Sequence, residues 1–425
     1  MVIANSSVQF DLLVRSDRIY DSVGKRFYQG QIGVNDGKIA AILGAEASAR
    51  AKETIDAQGR IVLPGFIDFH THVYWGGTPL GINAEKVGPY TGVTTFVDQG
   101  SSGSGNFEGF YHQIIKRANI RILAFLNLSY IGLVSIGNTT ERFGELYDLR
   151  LIDEQAFIET VRCYTEVIKG VKIRLGPNTS GGNDKQILEK ATGIAKKLRL
   201  PLVVHATTSP PQLKEVLSFL GEGDVLTHCF IDEPNQGILH SNGLLKDLVH
   251  EARSRGVLFD IGHGVSCFSF KVAKLAIEQG FLPDFISSDI HAYSINGPAY
   301  DLPTTLAKFR AIGVSDEEIF SRVTLIPARA LKMEKQLGSL TTGKTADFSI
   351  VHWLDSSNIF FDAALNQEVG KILKVDQTFY SGKVIEPVVD EREEAKWKPG
   401  VPEIFKHKKH DYGRGDEASI RHEVF

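Results

Sequence analysis

Ile61-Val62-Leu63-Pro64-Gly65-Phe66-Ile67-Asp68-Phe69-His70-Thr71-His72 opens the longest patterned part of this chain. If residues 66–72 form a strand, side chains alternate across it, so His70 and His72 project to one face and Thr71 to the other. Two imidazoles meeting at one point suit a metal ion, whose ring-nitrogen ligands must approach to about 2.0–2.1 Å. A lone His-x-His fits two ordinary polar residues near a strand end equally well. The rest of the chain has to decide.

From Ile61 on, apolar segments alternate with amphipathic ones, the pattern of a parallel α/β fold. Strands are expected at 61–70, 93–99, 122–129, 171–175, 202–206, 224–229, 257–262 and 285–289. Helices are expected at 154–169, 185–198, 212–220, 243–255, 271–279 and 316–330, where apolar residues recur every three or four positions. Eight strands with helices between them predict a (β/α)8 TIM barrel over residues 61–334. Loops 100–106 and 130–151 follow strand ends, where barrel enzymes place their sites, and are candidates for a lid. Ahead of the barrel, short strands are joined by tight turns, with Asn35-Asp36-Gly37 a strong hairpin signal. The β pattern returns after Met333, so residues 1–60 and 335–390 are expected to build one small β domain from both chain ends. Residues 391–425 are rich in charge, poor in apolar periodicity, and read as a tail or arm.

Composition narrows the class. Of 425 residues, 42% are apolar and 23% charged, as in globular proteins with a large core. A net charge of -4 argues against a nucleic-acid partner. The first 20 residues carry Asp11, Arg15, Asp17 and Arg18, which fits neither a signal-peptide core nor a membrane span. Three widely spaced cysteines make no disulfide framework. A cytoplasmic homo-oligomer acting on a small-molecule substrate, without a membrane partner, is the expectation.

Chemistry-bearing residues end the other strands. His205 closes Leu202-Val203-Val204, His228 closes Val225-Leu226-Thr227, Asp289 closes Phe285-Ile286-Ser287-Ser288, and Lys172 lies on the fourth strand. Singly, each has an ordinary explanation: a hydrogen-bonded core histidine, or an aspartate capping the next helix. Together with His70 and His72 they make one ligand set at the C-terminal mouth of a barrel.

This set resembles the binuclear members of the amidohydrolase superfamily. Three longer stretches are similar to a narrower group, the amidohydrolase/deacetylase metallohydrolases, many of which bear dihydroorotase or adenine deaminase names. They are Gly223-Asp224-Val225-Leu226-Thr227-His228-Cys229-Phe230, Phe259-Asp260-Ile261-Gly262-His263-Gly264, and Ile286-Ser287-Ser288-Asp289 with the following Asn296-Gly297-Pro298-Ala299-Tyr300-Asp301-Leu302-Pro303. The resemblance covers about residues 8–387 and implies two divalent metal ions, zinc being expected from the imidazole and oxygen ligands. It implies that His70, His72 and Asp289 hold the buried metal and His205 and His228 the more exposed one. Lys172, carboxylated by carbon dioxide, would bridge both. Lys169 is the rival bridge, set aside because it precedes Gly170 and is expected outside the strand. The implied mechanism is attack by a hydroxide shared between the metals, with Asp289 as general base and then general acid.

Substrate residues are less sharply marked. Arg174 lies two residues after Lys172 and therefore on the same strand face. It is either paired with a carboxylate such as Asp98 or Asp260, or an anchor for an anionic substrate. Tyr130, His263, His291 and Asn296 are further candidates, with His263 either meeting substrate or bracing Asp289. The resemblance points to hydrolysis of an acyl, above all acetyl, ester or amide alpha to a carboxylate. Dihydroorotases of the usual kind have an arginine where this chain has Tyr74, which weakens the cyclic-amide alternative. Many deaminases carry a glutamate shortly after the fifth-strand histidine; here Ala-Thr-Thr-Ser-Pro-Pro follows His205. A scaffold without activity would have lost ligands, and this chain retains the set.

Overall fold

The computed structural model describes residues 9–136 and 144–386. The expectation for residues 391–425 lies outside them. Strands β1 (Gln9–Asp21), β2 (Arg26–Asn35), β3 (Lys38–Gly44), β4 (Arg50–Asp56) and β5 (Ile61–Pro64) come first. The next seven are β6 (Phe66–Thr71), β7 (Val93–Gly103), β8 (Arg121–Asn127), β9 (Ile168–Leu175), β10 (Leu202–Ala206), β11 (Val225–Leu226) and β12 (Leu258–Phe259). Late in the chain follow β13 (Phe348–Phe361), β14 (Gln367–Tyr380) and β15 (Lys383–Val384).

The fold is a mixed α/β architecture with two sheets. One has the order β15-β14-β13-β5-β1-β2-β3, with β4 also on β1, and so contains strands from early and late sequence. Its β2–β3 hairpin turns at Asp36 and Gly37, both at positive φ as a two-residue primed turn requires. Val14, Ile32, Val62, Phe348 and Phe379 pack its core. The expected strand 61–70 is in fact two. Ile61–Pro64 pairs antiparallel with β13, whereas Phe66–Thr71 pairs parallel with β7. The crossing from one sheet to the other falls at Pro64-Gly65.

The second sheet is parallel and curled, ordered β6-β7-β8-β9-β10-β11-β12. Residues 285–290 run between its ends without forming a regular strand. On one side, His263 N donates to Ser287 O and Gly264 N to Ser288 O; on the other, Asp289 N donates to His70 O and His72 N to Ile290 O. Ile67, Phe69, Val97, Leu123, Phe125, Val203, Val225 and Phe285 form a separate apolar cluster within this sheet. Helices cover its outside. Residues 154–169 divide into helix Glu154–Cys163 and the start of β9, because Ile168 already pairs with β8. The expected 316–330 helix is broken into Asp316–Ser321 and Leu325–Ala330, and helix Leu302–Ala311 was not anticipated. No helix among the described residues is long and apolar enough to cross a membrane.

Candidate metal and active site

One pocket at the strand ends is lined by His70, His72, Leu80, Lys172, Arg174, His205, His228, Asp289 and His291. All six residues expected to hold metal meet there. On β9 the period-two rule holds: Lys172 and Arg174 line the pocket, while Val171, Ile173 and Leu175 pack in the core. Lys169 lies inside β9, not outside it, half-buried where the register with β8 is irregular between Ile168 and Gly170, and it is not among the residues lining the pocket. On β6 the register shifts between Asp68 and Thr71; Thr71 turns its hydroxyl to Val97 O at 3.0 Å, and both histidines reach the pocket.

Each ring is oriented by its second nitrogen. His70 Nδ1 lies 3.0 Å from Asp260 Oδ2, and Thr227 Oγ1 donates to the same oxygen at 2.6 Å. The carboxylate takes the Nδ1 proton, leaving the Nε2 lone pair to face Asp289 Oδ1 at 3.5 Å. His72 Nε2 is 3.3 Å from that oxygen, and its Nδ1 meets Ser101 Oγ at 3.0 Å. His228 Nδ1 donates to Gly262 O at 2.8 Å, so its Nε2 carries a lone pair, 2.7 Å from His205 Nδ1. His291 Nδ1 accepts from Tyr293 N, which leaves the ring proton on Nε2.

Backbone strain marks two of these positions. His228 has φ +62° and Asp289 φ +46°, left-handed values that L residues seldom adopt. Glycines leave the room they need. A Cβ on Gly262 would stand 2.7 Å from His228 Nδ1, and one on Gly264 would stand 2.6 Å from Asp289 Oδ2. Asp289 is held by its N–H on His70 O and by Ser294 Oγ, which donates to Asp289 O at 2.8 Å.

Burial governs the charge states. It pushes His70 and His205 well below the ordinary histidine range, His72 to about 3 and both His228 and His291 to about 4. Neutral imidazoles are the form that binds metal. Burial also brings Lys172 down to about 8, against the pull of Asp289 and Asp260. Its Nζ and Asp289 Oδ1 are buried without a hydrogen-bond partner among the described residues. His70, His228 and Asp289 each offer a ligand atom within 4.8 Å of the others. A buried carboxylate oxygen of Asp289 without a hydrogen-bond partner, facing converging imidazole lone pairs, is what a divalent cation would satisfy, so these residues fit a metal centre.

The substrate candidates separate. Arg174 and His291 line the pocket. Tyr130 and Asn296 are exposed, and neither is among its lining residues. His263 is not among them either: it stacks on Phe268, gives its Nδ1 proton to Gly264 O and accepts from Lys308 Nζ at 2.7 Å. The partner of Arg174 is neither Asp98 nor Asp260. Asp98 accepts from Val73 N and Ser101 N, Asp260 serves His70, and Arg174 Nη1 donates to Glu145 Oε1 at 2.7 Å. This pair is buried, not at the rim. Glu145, Asp260 as the support of His70, and Lys308 were missed from sequence. Only Asp260 carried a signal, its place in the Phe259–Gly264 motif.

Residues 61–385 match the model of the amidohydrolase family. A deacetylase of Agrobacterium fabrum is 37% identical over 346 residues, covering 81% of this chain and 83% of that protein. A solved structure described as an adenine deaminase superposes with a TM-score of 0.81 at 33% identity, over 88% of this chain and 99% of that one. Another, described as a dihydroorotase, gives 0.80 at 33% identity over 88% and 98%.

Proposed function

The chain belongs to the amidohydrolase family and is a hydrolytic enzyme; we propose that it is a binuclear metal-dependent hydrolase removing an acyl group, above all acetyl, from an ester or amide alpha to a carboxylate. The observation that carries this reading is the meeting of the four expected ligand imidazoles, all neutral, with Lys172, Asp289 and one guanidinium, Arg174, in a single pocket. In this reading residues 285–290 are the eighth strand of a (β/α)8 barrel, supported by their hydrogen bonds to both ends of the parallel sheet. Residues 9–64 and about 335–386 then form the composite β domain, supported by the pairing of β5 with β13.

His70, His72 and Asp289 would hold one ion, His205 and His228 the other, and a carboxylated Lys172 would join them. Bound divalent ions would bring the pKa of water towards about 7 and polarise the scissile carbonyl. Asp289 accepts the proton of the attacking water and delivers it to the departing oxygen or nitrogen. His291, neutral with its proton on Nε2, is a donor for a substrate oxygen. Arg174 receives the carboxylate.

Two neighbouring activities fit less well. Tyr74, standing where a dihydroorotase-type arginine would be, stacks on Phe110 and gives its hydroxyl to Asn106 O. His205 Nε2 meets Thr207 Oγ1 at 3.2 Å, and the Ala206-Thr207-Thr208-Ser209-Pro210-Pro211 segment that follows has no carboxylate to shuttle a deaminase proton. Zinc-loaded protein should hydrolyse N-acetyl and O-acetyl carboxylic acids and leave adenine and dihydroorotate unchanged. Faster opening of dihydroorotate than of any acyclic acetyl compound rejects the assignment.

A further inference from the structure

Arg174 does not meet the pocket as a bare charge. Its Nη1 is bonded to Glu145 Oε1, and Glu145 Oε2 accepts from Asn127 Nδ2 at 3.1 Å, so both carboxylate oxygens are engaged. The backbone around Glu145 is fixed as well. Glu145 N and Leu146 N both donate to Thr179 O, and Ser129 Oγ donates to Glu145 O at 2.8 Å. Asn127 in turn gives its amide to Gly100 O and takes Ser129 N on Oδ1, and it is the register partner of Lys172 across β8 and β9. Arg174 is 6% exposed and Glu145 2%, which removes the pair from the screening that makes surface ion pairs weak.

A carboxylate docking on the same guanidinium would be separated from that of Glu145 only by the guanidinium itself, close enough for repulsion in a medium of intermediate dielectric. We propose that Glu145 is a specificity-determining residue: a built-in counter-charge that holds the Arg174 guanidinium in place and limits how tightly it grips an anion. The inference rests on the reading that Arg174 meets the substrate carboxylate. Its consequence is directional. An acid and its neutral ester should respond differently to loss of the Glu145 charge, because only the acid feels the repulsion.

The test uses zinc-loaded enzyme with N-acetylalanine and its methyl ester. Glu145→Gln keeps the size and an acceptor for Arg174 while removing the charge. KM for the acid should fall roughly tenfold and that for the ester should stay within about twofold. Glu145→Asp, which keeps the charge, should leave the acid-to-ester ratio near that of the native enzyme. Calorimetry with propionate reads the same effect without turnover, and binding should tighten in Glu145→Gln. Equal changes for acid and ester, or unchanged propionate affinity, overturn the role of Glu145. Arg174→Met separates the two levels. If it leaves the acid-to-ester ratio untouched, the anchoring role of Arg174 falls; if it abolishes the ratio while Glu145→Gln does not move it, only the counter-charge falls.

Discussion

Asp260 fixes His70: its carboxylate lies 3.0 Å from Nδ1, and the other ring nitrogen is thereby committed to the pocket. Thr227 Oγ1 and Ser287 Oγ both donate to the same carboxylate, so the acceptor is itself held. Carboxylates behind a metal-binding histidine set its tautomer and raise its basicity. Asp260→Asn should therefore lower zinc affinity about 10–100-fold while leaving the secondary structure unchanged. Chelator competition measures this directly, and native affinity in the variant would mean that His70 needs no support.

Lys172 presents a buried Nζ with no hydrogen-bond partner among the described residues, at the centre of the ligand set. An amine brought to about 8 by burial is partly neutral near physiological pH and able to add carbon dioxide. Carbon-13 bicarbonate should therefore label one lysine, read as a carbamate resonance that disappears in Lys172→Ala. The same variant should lose at least one metal and its activity, with partial rescue by short carboxylates. Full metal content in Lys172→Ala would move the bridge to another residue.

Asp289 Oδ1 sits within 3.5 Å of Nε2 of both His70 and His72, on a residue in left-handed conformation. Asp289→Asn keeps its shape and removes its basicity. Turnover should fall by about 10²–10⁴, the range for a positioned acid-base group. Circular dichroism should be unchanged. Near-native turnover at neutral pH would assign the proton transfer elsewhere.

What could be read from sequence was whatever obeys a local period. Lys172 and Arg174 share a face because strands repeat every two residues, whereas Lys169 sits at a register irregularity of the same strand and does not line the pocket. His205, His228 and Asp289 announced themselves by ending apolar runs. Relationships set by tertiary contact were not legible. Glu145 reaches Arg174 from 29 residues away, out of a loop with no periodicity. His263 carries a motif's outward signs, yet its direction is decided by Lys308 on a helix 45 residues later. The double nature of residues 61–70 was hidden because two different sheets both bury apolar side chains, and Pro64-Gly65 between them was the one visible break.

Lys308 supplies a pH test that does not depend on substrate. Its Nζ is buried, donates to His263 Nε2 and to Pro298 O at 2.7 Å each, and lies 5.9 Å from the Phe268 ring. Burial lowers it to about 7, against the favourable charges of Asp362 and Asp301. The sign follows from proton counting. Between about pH 7 and the lysine value of about 10.4, the unfolded chain binds a proton that the folded chain does not, so stability rises with pH through this window. One proton corresponds to about 1.4 kcal/mol per pH unit. Lys308→Met removes the titration, so the stability of the native chain relative to the variant should rise with pH through this window. The difference should move by about 2 kcal/mol in favour of the native chain from pH 7.5 to 9.5, measured by urea denaturation of the metal-loaded proteins. Lys308 is not among the pocket-lining residues, so metal loss with pH should affect both proteins alike. Parallel stability curves for the two would show that Lys308 keeps its proton in the folded state, with His263 and Pro298 O solvating an ammonium.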